Sequence, residues 1–271
     1  MTLCPDTRIE FDRAGAMGGT TILLLHAGVA DRRMWEPQWA ALTSRHDVVR
    51  LDLRGFGGSD SPPAKGHFAH HEDVIETLSW LGVDRVHLIG CSFGAGVAVD
   101  VALTSPHLVA SLALITPGGC LIPELTPELS EFIAAEDVAL DRGDLDVAVA
   151  ANLDWWVDGP HRDAAQERSE VRALVAAMQR RAFELTSGWE DVEERELDPP
   201  ALDRLGEVNV PTLVVTGALD LDAIALAADA VADGIAGACR AELPTAHMPT
   251  LELPAESLAL LERWLADLEG A

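Results

Sequence analysis

The sequence of 271 residues has a single lysine, which argues against two classes of chemistry. Pyridoxal-phosphate enzymes need a lysine that forms a Schiff base, and a phosphate-binding P-loop needs Gly-Lys followed by Ser or Thr. Lys65 is followed by Gly66 and His67 in a proline-rich loop, so neither class fits. A dinucleotide-binding Gly-x-Gly-x-x-Gly pattern would need a glycine two residues after Gly90, where the sequence has Ser92.

Positively charged residues are scarce as a group. Lys and Arg total 19 against 45 Asp and Glu, which gives a formal net charge of −26 at pH 7. A chain with this charge is repelled by nucleic-acid phosphates and by anionic lipid surfaces. We therefore expect neither nucleic acid nor a membrane as a partner.

Disulfide and targeting signals are also missing. The four cysteines, Cys4, Cys91, Cys120 and Cys239, contain no C-x-x-C pair, and residues 1–15 contain no apolar signal segment. These absences favour reduced thiols and a cytoplasmic location. Hydrophobic residues make up 48% of the chain, enough for one large core, and no linker composition divides it. The sequence does not indicate an oligomeric state.

Apolar runs alternate with helical patterns along most of the chain. Predicted strands cover residues 8–12, 21–25, 47–52, 85–89, 111–115, 212–216 and 239–243. Predicted helices cover residues 35–44, 72–81, 94–105, 223–232 and 254–268. All strands but the first are nearly continuous apolar runs, which are typical of strands covered on both faces, so we expect a mainly parallel sheet with helices around it. Between residues 121 and 205 only helical patterns occur, over 127–140, 145–156 and 162–183.

The most informative pattern is Gly90-Cys91-Ser92-Phe93-Gly94, which follows the apolar run 86–89. Small residues come next, so the order predicts a strand, a sharp turn and a helix. A serine on such a turn has a strained backbone and an exposed hydroxyl, and flanking glycines avoid collisions. The pattern therefore proposes Ser92 as a nucleophile, although by itself it also fits a glycine-rich turn.

Candidates for a general base and its acid partner follow two later strands. His247 follows the run 239–243 and precedes the last helix, and Asp220 follows the run 212–216. The order Ser, Asp, His, each at the end of a strand, is compatible with a catalytic triad. Asp222 is a second candidate acid, but its position suits the N-cap of the next helix.

Two further segments carry a resemblance to a known family. The strand 21–25 ends in His26-Ala27-Gly28, and residues 52–59 are Asp-Leu-Arg-Gly-Phe-Gly-Gly-Ser. With the serine, aspartate and histidine motifs, these segments resemble the α/β-hydrolase fold family over almost the whole chain except roughly residues 121–205. His-Ala stands where the family usually has His-Gly.

The resemblance implies a fold and a domain organisation. We expect an α/β fold with a mostly parallel central sheet flanked by helices. Residues 1–120 and 206–271 would form the α/β-hydrolase core, and residues 121–205 would form an inserted helical lid.

The resemblance also implies two-step acyl transfer to water without a metal or an organic cofactor. Ser92 would attack, His247 would accept its proton, and Asp220 would orient the imidazole. The N–H groups of Gly28 and Phe93 would form the oxyanion hole. A carboxylic ester or a lactone is the leading substrate class, a carbon–carbon hydrolase acting on vinylogous diketones is an alternative, and a non-catalytic ligand-binding receptor of the same fold stays open.

Neighbouring subfamilies fit less well. Epoxide hydrolases use lid tyrosines, and the sequence has none. Epoxide hydrolases and dehalogenases need an aspartate where this sequence has Ser92. The His-Gly-Gly-Pro-Gly pattern of proline iminopeptidases is also missing.

The substrate pocket is expected to be apolar. Trp155 and Trp156 of the predicted lid, with Met248 beside the histidine, are candidate pocket residues for a small molecule with an apolar portion. Lid arginines at positions 162, 168, 172, 180 and 181 are expected to face solvent and to pair with Glu167, Glu170 and Glu184.

A metal site is not expected. The cluster His67, His70, His71, Glu72 and Asp73 contains metal-ligating residue types. However, Glu72 and Asp73 lie where a helix begins, and acidic residues there are favoured by the helix dipole.

Overall fold

A computed structural model describes residues 2–63, 66–162, 168–189 and 191–270. Ten strands occur in this part of the chain: β1 (Thr2–Leu3), β2 (Glu10–Ala14), β3 (Thr21–Leu25), β4 (Val48–Leu51), β5 (His67–Phe68), β6 (Val86–Cys91), β7 (Val109–Ile115), β8 (Glu193–Glu194), β9 (Thr212–Gly217) and β10 (Cys239–Leu243). The helices are α1 (Glu36–Thr43), α2 (His70–Trp80), α3 (Phe93–Thr104), α4 (Pro127–Asp141), α5 (Leu145–Asn152), α6 (Ser169–Thr186), α7 (Asp222–Gly234), α8 (Pro249–Glu252) and α9 (Pro254–Glu269).

A central sheet of eight strands has the order β1-β2-β4-β3-β6-β7-β9-β10. The pairs β1–β2 and β2–β4 are antiparallel, and the other pairs are parallel. This architecture confirms the predicted α/β fold with a mostly parallel sheet flanked by helices. Two short strands, β5 and β8, form a separate parallel pair.

Strand β3 shows how the core is divided by the sheet. Leu23 and Leu25 belong to one apolar cluster and Ile22 and Leu24 to the other, because successive side chains point to opposite faces. All four are fully buried. Burying one such side chain stabilises the fold by about 1.5–3 kcal/mol, so both helical layers contribute to holding the strand in place.

Strand β10 departs from the prediction of a strand covered on both faces. It lies at the edge of the sheet and pairs with β9 alone, so that all five of its residues are exposed or half-buried. The first predicted strand, 8–12, is observed two residues later as β2, and the short strands β1, β5 and β8 were not predicted.

Helices α4, α5 and α6 occupy the segment predicted as a lid, while its limits as a separate unit at residues 121 and 205 stay a prediction. After α5 the chain forms a π-helical segment, Leu153–Asp158, in place of the predicted continuous helix. The helix predicted over 162–183 is observed as α6, whose start lies later in the chain; residues 163–167 lie outside the described residues. Lys65 also lies outside them.

No helix in the described part of the chain is long and apolar enough to cross a membrane.

Candidate active site

Ser92 lies on a sharp turn between β6 and α3. Its backbone has φ 53° and ψ −115°, a conformation that costs a non-glycine residue about 1–3 kcal/mol. The Ser92 N–H donates to the carbonyl of Ile115 at 2.8 Å. A Cβ atom at position 94 would lie 2.5 Å from the carbonyl oxygen of His26, so the turn requires Gly94. The local sequence and the neighbouring strands together hold the hydroxyl in place.

The three predicted residues form one hydrogen-bonded chain. The Nε2 atom of His247 is 2.7 Å from the Ser92 hydroxyl oxygen, and its Nδ1 atom is 2.8 Å from Oδ2 of Asp220. An ionised carboxylate can only accept, so the Nδ1–H group donates to Asp220 and Nε2 is left to accept from the serine hydroxyl. Both His247 and Asp220 are buried. The arrangement can therefore remove the proton from Ser92.

Asp222 lies elsewhere, although it is two residues from Asp220. It is the first residue of α7 and not the predicted N-cap, which is Leu221. Its carboxylate accepts from the Thr126 hydroxyl at 2.6 Å, and its N–H donates to Glu128 at 3.1 Å. Asp222 thus joins α7 to the start of α4.

Cys91, next to the serine, lies in a different environment from the Ser92 hydroxyl. Its sulfur is fully buried and 3.6 Å from the hydroxyl of Thr116. Burial raises the pKa of the Cys91 thiol to about 12. The thiol therefore stays protonated at neutral pH and packs as a small apolar group.

Gly28 and Phe93, the predicted oxyanion-hole residues, lie beside each other. A Cβ atom at position 28 would be 3.4 Å from Cβ of Phe93. Neither residue's N–H donates a hydrogen bond to another described residue, whereas that of Ala27 donates to the Met34 sulfur at 3.3 Å. Both residues line the same cavity as Ser92. Their N–H groups are therefore available to an oxyanion.

His26 explains how this turn is held. Its Nε2 atom accepts from the Leu53 N–H at 2.9 Å, and its Nδ1 atom is 2.8 Å from the carbonyl of Ala27. Burial lowers the pKa of His26, which keeps the ring neutral. A neutral ring can accept at one nitrogen and donate at the other, so His26 joins the Gly28 turn to the segment 52–59.

A cavity of about 440 Å³ opens over Ser92. Most of its lining is aromatic or aliphatic: Phe56, Phe68, Phe93, Ile122, Leu129, Trp156, Trp189, Val192 and Ile224. The lining also includes four longer polar side chains: Arg54, His70, Thr186 and Glu194. The cavity fits a small molecule that is apolar over most of its surface.

Of the predicted pocket residues, Trp156 lines this cavity, whereas Trp155 and Met248 do not. Trp155 packs against the ring of Phe132, with the centroids 6.5 Å apart. Adjacent residues on a helix point in different directions, so one tryptophan of the pair faces the cavity and the other does not. Met248, the residue after His247, is fully buried.

Arg54 lines the cavity, a position that the sequence did not indicate. Its guanidinium makes two hydrogen bonds of 2.6 Å to Asp73. It also donates to the carbonyls of Ser61 at 3.0 Å and Thr7 at 2.7 Å. Four of its five N–H groups are thus engaged, so Arg54 holds the fold and offers little to a substrate carboxylate.

Two arginines of the predicted lid turn inward. Arg162 and Arg168 form ion pairs with Glu252, whose side chain is 1% exposed. The carboxylate of Glu252 also accepts from the N–H groups of Ala246 at 3.3 Å and Met248 at 3.2 Å. Burial raises the pKa of Glu252, while Arg168 acts in the opposite direction. Glu252 therefore joins the lid segment to both residues that flank His247.

The other lid arginines pair at the surface with partners that differ from those predicted. Arg172 pairs with Asp154 and Asp158, Arg180 with Asp146, and Arg181 with Asp60. The predicted partner Glu167 lies outside the described residues.

The described residues contain no group of three or more His, Cys, Asp and Glu side chains that could hold a metal ion. In the histidine cluster that the sequence singled out, His70 faces the cavity and Asp73 pairs with Arg54.

A family model described as alpha/beta hydrolase fold matches residues 20–248. Among curated proteins, one provisionally named carbamate hydrolase RutD, from Rhizobium rhizogenes, is 28% identical over 212 residues, which cover 72% of each chain. A solved structure described as Est816, an N-acyl homoserine lactone degrading enzyme, is 25% identical with a TM-score of 0.74, covering 96% of this chain and 97% of that one. The structure of the enol-lactonase from Burkholderia xenovorans LB400 is 21% identical with a TM-score of 0.78, covering 97% of this chain and 98% of that one. At this identity the likeness is one of fold.

Proposed function

Since the chain belongs to the α/β-hydrolase fold family, and one relative reported above is named as a carbamate hydrolase, we propose that this hydrolase cleaves a carboxylic ester or a lactone by two-step acyl transfer. Ser92 is the nucleophile, His247 the general base and Asp220 its acid partner. The observation that carries the proposal is the hydrogen-bonded chain of these residues, with distances of 2.7 and 2.8 Å, whose serine lines the apolar cavity.

The acylation half of the reaction follows from the positions of the donors and acceptors. The hydroxyl oxygen of Ser92 attacks the carbonyl carbon while its proton moves to Nε2 of His247. The carbonyl oxygen becomes an oxyanion and accepts from the N–H groups of Gly28 and Phe93. The tetrahedral intermediate then collapses, and the proton on His247 passes to the departing alkoxide, which leaves as the alcohol from an ester or stays attached as the hydroxyl of a ring-opened lactone.

Deacylation uses the same groups with water as the nucleophile. The oxygen of the water attacks the acyl carbon while His247 takes a proton from that water. His247 later returns the proton to the oxygen of Ser92. The acid leaves the cavity and the serine hydroxyl is restored. During both halves Asp220 stabilises the positive charge on the imidazole.

A carbamate is a second candidate, because the relative named as a carbamate hydrolase aligns over 72% of the chain. A carbamate carbonyl can undergo the same serine attack and the same transfer of a proton to its leaving group. A panel of substrates that contains esters, lactones and carbamates would distinguish these candidates, and a vinylogous diketone in the same panel would test the carbon–carbon alternative.

Labelling with a fluorophosphonate tests the serine assignment and distinguishes an enzyme from a binding protein. We expect the wild-type protein to be labelled at Ser92, located by mass spectrometry of the peptide, and the Ser92→Ala variant to remain unlabelled. The same variant should hydrolyse p-nitrophenyl butyrate about 10⁵ to 10⁶-fold more slowly in kcat. An adduct on Cys91, or equal turnover by the variant, would refute the assignment.

A further inference from the structure

One side of the cavity is walled by Phe68, His70, Phe93 and Trp189, here called the aromatic lobe. The ring centroids of Phe68 and His70 are 4.9 Å apart, and those of His70 and Phe93 are 5.0 Å apart. The rings of Phe68 and Trp189 are 6.3 Å apart. In all three pairs the planes are inclined by 81–89°. Because neighbouring rings are perpendicular, the lobe has walls in more than one orientation.

A carboxylate borders the aromatic lobe. Glu194 also lines the cavity, and its side chain is 46% exposed. Its partner among the described residues is Nε2 of His70, at 3.5 Å. Arg54 also faces the Phe68 ring, at 5.6 Å, but its charge is neutralised by the bidentate contact with Asp73. The carboxylate of Glu194 is therefore the charge that remains for a ligand.

His70 adds a second polar group to the lobe. His70 is 5% exposed, and its Nδ1 atom has no hydrogen-bond partner among the described residues, so the lobe contains a buried polar group that is free.

From this geometry we propose that the substrate carries a positively charged amine, quaternary or protonated, that binds in the aromatic lobe beside Glu194. The inference rests on the proposed ester hydrolysis and names the class of its substrate. The ester carbonyl would lie at Ser92, and Phe93, which belongs to both the serine turn and the lobe, sets a short distance between the reacting carbon and the cation.

The chemistry of recognition has two parts. A cation within about 6 Å of a ring centroid is attracted by the negative ring face, and a carboxylate adds direct charge attraction. A neutral group of the same shape keeps the apolar contacts and loses both attractions. We therefore expect a cationic ester to be favoured over its neutral isostere by roughly tenfold in kcat/KM. The net charge of −26 also attracts cations to the molecule.

Two matched pairs of esters test the proposal on either side of the ester bond. Acetylcholine and 3,3-dimethylbutyl acetate differ by a quaternary nitrogen in place of a carbon on the alcohol side. The p-nitrophenyl esters of 4-trimethylammoniobutanoate and 5,5-dimethylhexanoate differ in the same way on the acyl side. We expect the cationic member of at least one pair to have the higher kcat/KM.

Glu194→Gln should reduce this preference roughly threefold, because the attraction of the rings remains. Glu193→Gln is the matched control, since it removes the same charge from the adjacent residue of β8. The Glu193 side chain pairs with Arg195 at 3.6 Å and is 65% exposed, and the residue does not line the cavity. We expect Glu193→Gln to keep the wild-type ratio.

Two results would overturn the inference. The first is turnover of p-nitrophenyl acetate without a preference for the cationic ester in either pair. The second is an equal loss of that preference in Glu194→Gln and Glu193→Gln. If the protein hydrolyses no ester, the proposed function fails, and tetramethylammonium binding by titration calorimetry decides the inference alone. Binding that Glu194→Gln weakens and Glu193→Gln does not would support the aromatic lobe as a cation site. Absence of binding would refute it.

Discussion

The indole ring of Trp156 packs against the imidazole ring of His247, with the ring centroids 4.5 Å apart and the planes inclined by 47°. Trp156 belongs to the π-helical segment that follows α5, and its ring centroid is also 5.0 Å from that of Phe132. The general base of the proposed mechanism is therefore held by a residue that also lines the cavity. The segment predicted as a lid contributes directly to the orientation of His247.

Replacing Trp156 should lower kcat. An aromatic pair contributes about 0.5–1.5 kcal/mol beyond the area it buries, so its loss in Trp156→Leu should reduce kcat roughly 2- to 10-fold through a less ordered imidazole. Steady-state hydrolysis of p-nitrophenyl butyrate measures the change. Trp155→Leu is the control, because Trp155 does not line the cavity. Equal losses in the two variants would mean that the ring contact has no effect on catalysis.

Asp220 and Asp222 offer a charge-matched comparison. Asp220→Asn removes the carboxylate that accepts from Nδ1 of His247 and favours the wrong imidazole tautomer, so kcat should fall about 10³ to 10⁴-fold. Asp222→Asn removes the same charge but affects the contact with Thr126, so its cost should be about 1 kcal/mol of unfolding free energy, with kcat nearly unchanged. Kinetics and urea unfolding of both variants distinguish the two roles, and the opposite ranking would make Asp222 the acid partner.

The serine turn was predictable from sequence because its determinants are local. Gly90 to Gly94 follow an apolar strand directly, and the close approach of Gly94 to the His26 carbonyl explains why that position is glycine. Asp220 and His247 were predictable because each follows a strand whose carboxyl end reaches the same edge of the sheet. The motif order sufficed to name these residues.

The cavity wall was not predictable in the same way. Phe68 and Glu194 belong to two-residue strands that pair across more than 120 positions of sequence, and so short a strand has no periodicity to detect. The π-helical segment at Trp156 follows α5 without a break in the helical pattern, so the sequence did not indicate which tryptophan faces the cavity. Residues that long-range strand pairing brings together can be identified only from the structure.

Asp100 provides a test of pH-dependent stability. Its pKa is raised to about 7 in the folded chain, mainly by burial, from an ordinary value of 3.8. Above pH 7 the folded protein holds the Asp100 carboxylate in its charged form, which lowers its stability. As the pH falls towards 3.8, the folded state binds a proton that the unfolded state does not yet bind, so this loss of stability diminishes. Asp100→Asn should therefore raise the unfolding free energy by about 1–2 kcal/mol at pH 8, with a gain that shrinks at pH 6 and pH 4.

Urea unfolding at the three pH values measures this effect. Asp84→Asn is the control, since Asp84 is exposed and its loss changes the net charge equally. A gain that is the same at every pH, or the same in both variants, would contradict a role for Asp100 protonation.

Glu252 should act as a positioning residue for His247. Glu252→Gln keeps the side-chain shape but leaves Arg162 and Arg168 facing a neutral group, and breaking a buried ion pair costs about 3–5 kcal/mol of stability. It also leaves one oxygen in place of two for the N–H groups of Ala246 and Met248. We expect kcat to fall roughly tenfold with KM almost unchanged, because the substrate cavity does not include Glu252.

The Glu252 measurement needs conditions in which the variant is folded, so kcat and KM should be determined well below its unfolding temperature, established by circular dichroism. Glu256→Gln, an exposed position in the first turn of α9, removes the same charge without touching the histidine loop. Glu252→Asp keeps the charge on a shorter side chain and should restore stability more than kcat, since the shorter carboxylate cannot reach both N–H groups. If Glu252→Gln loses stability but keeps the wild-type kcat, the residue holds the lid segment without orienting the base.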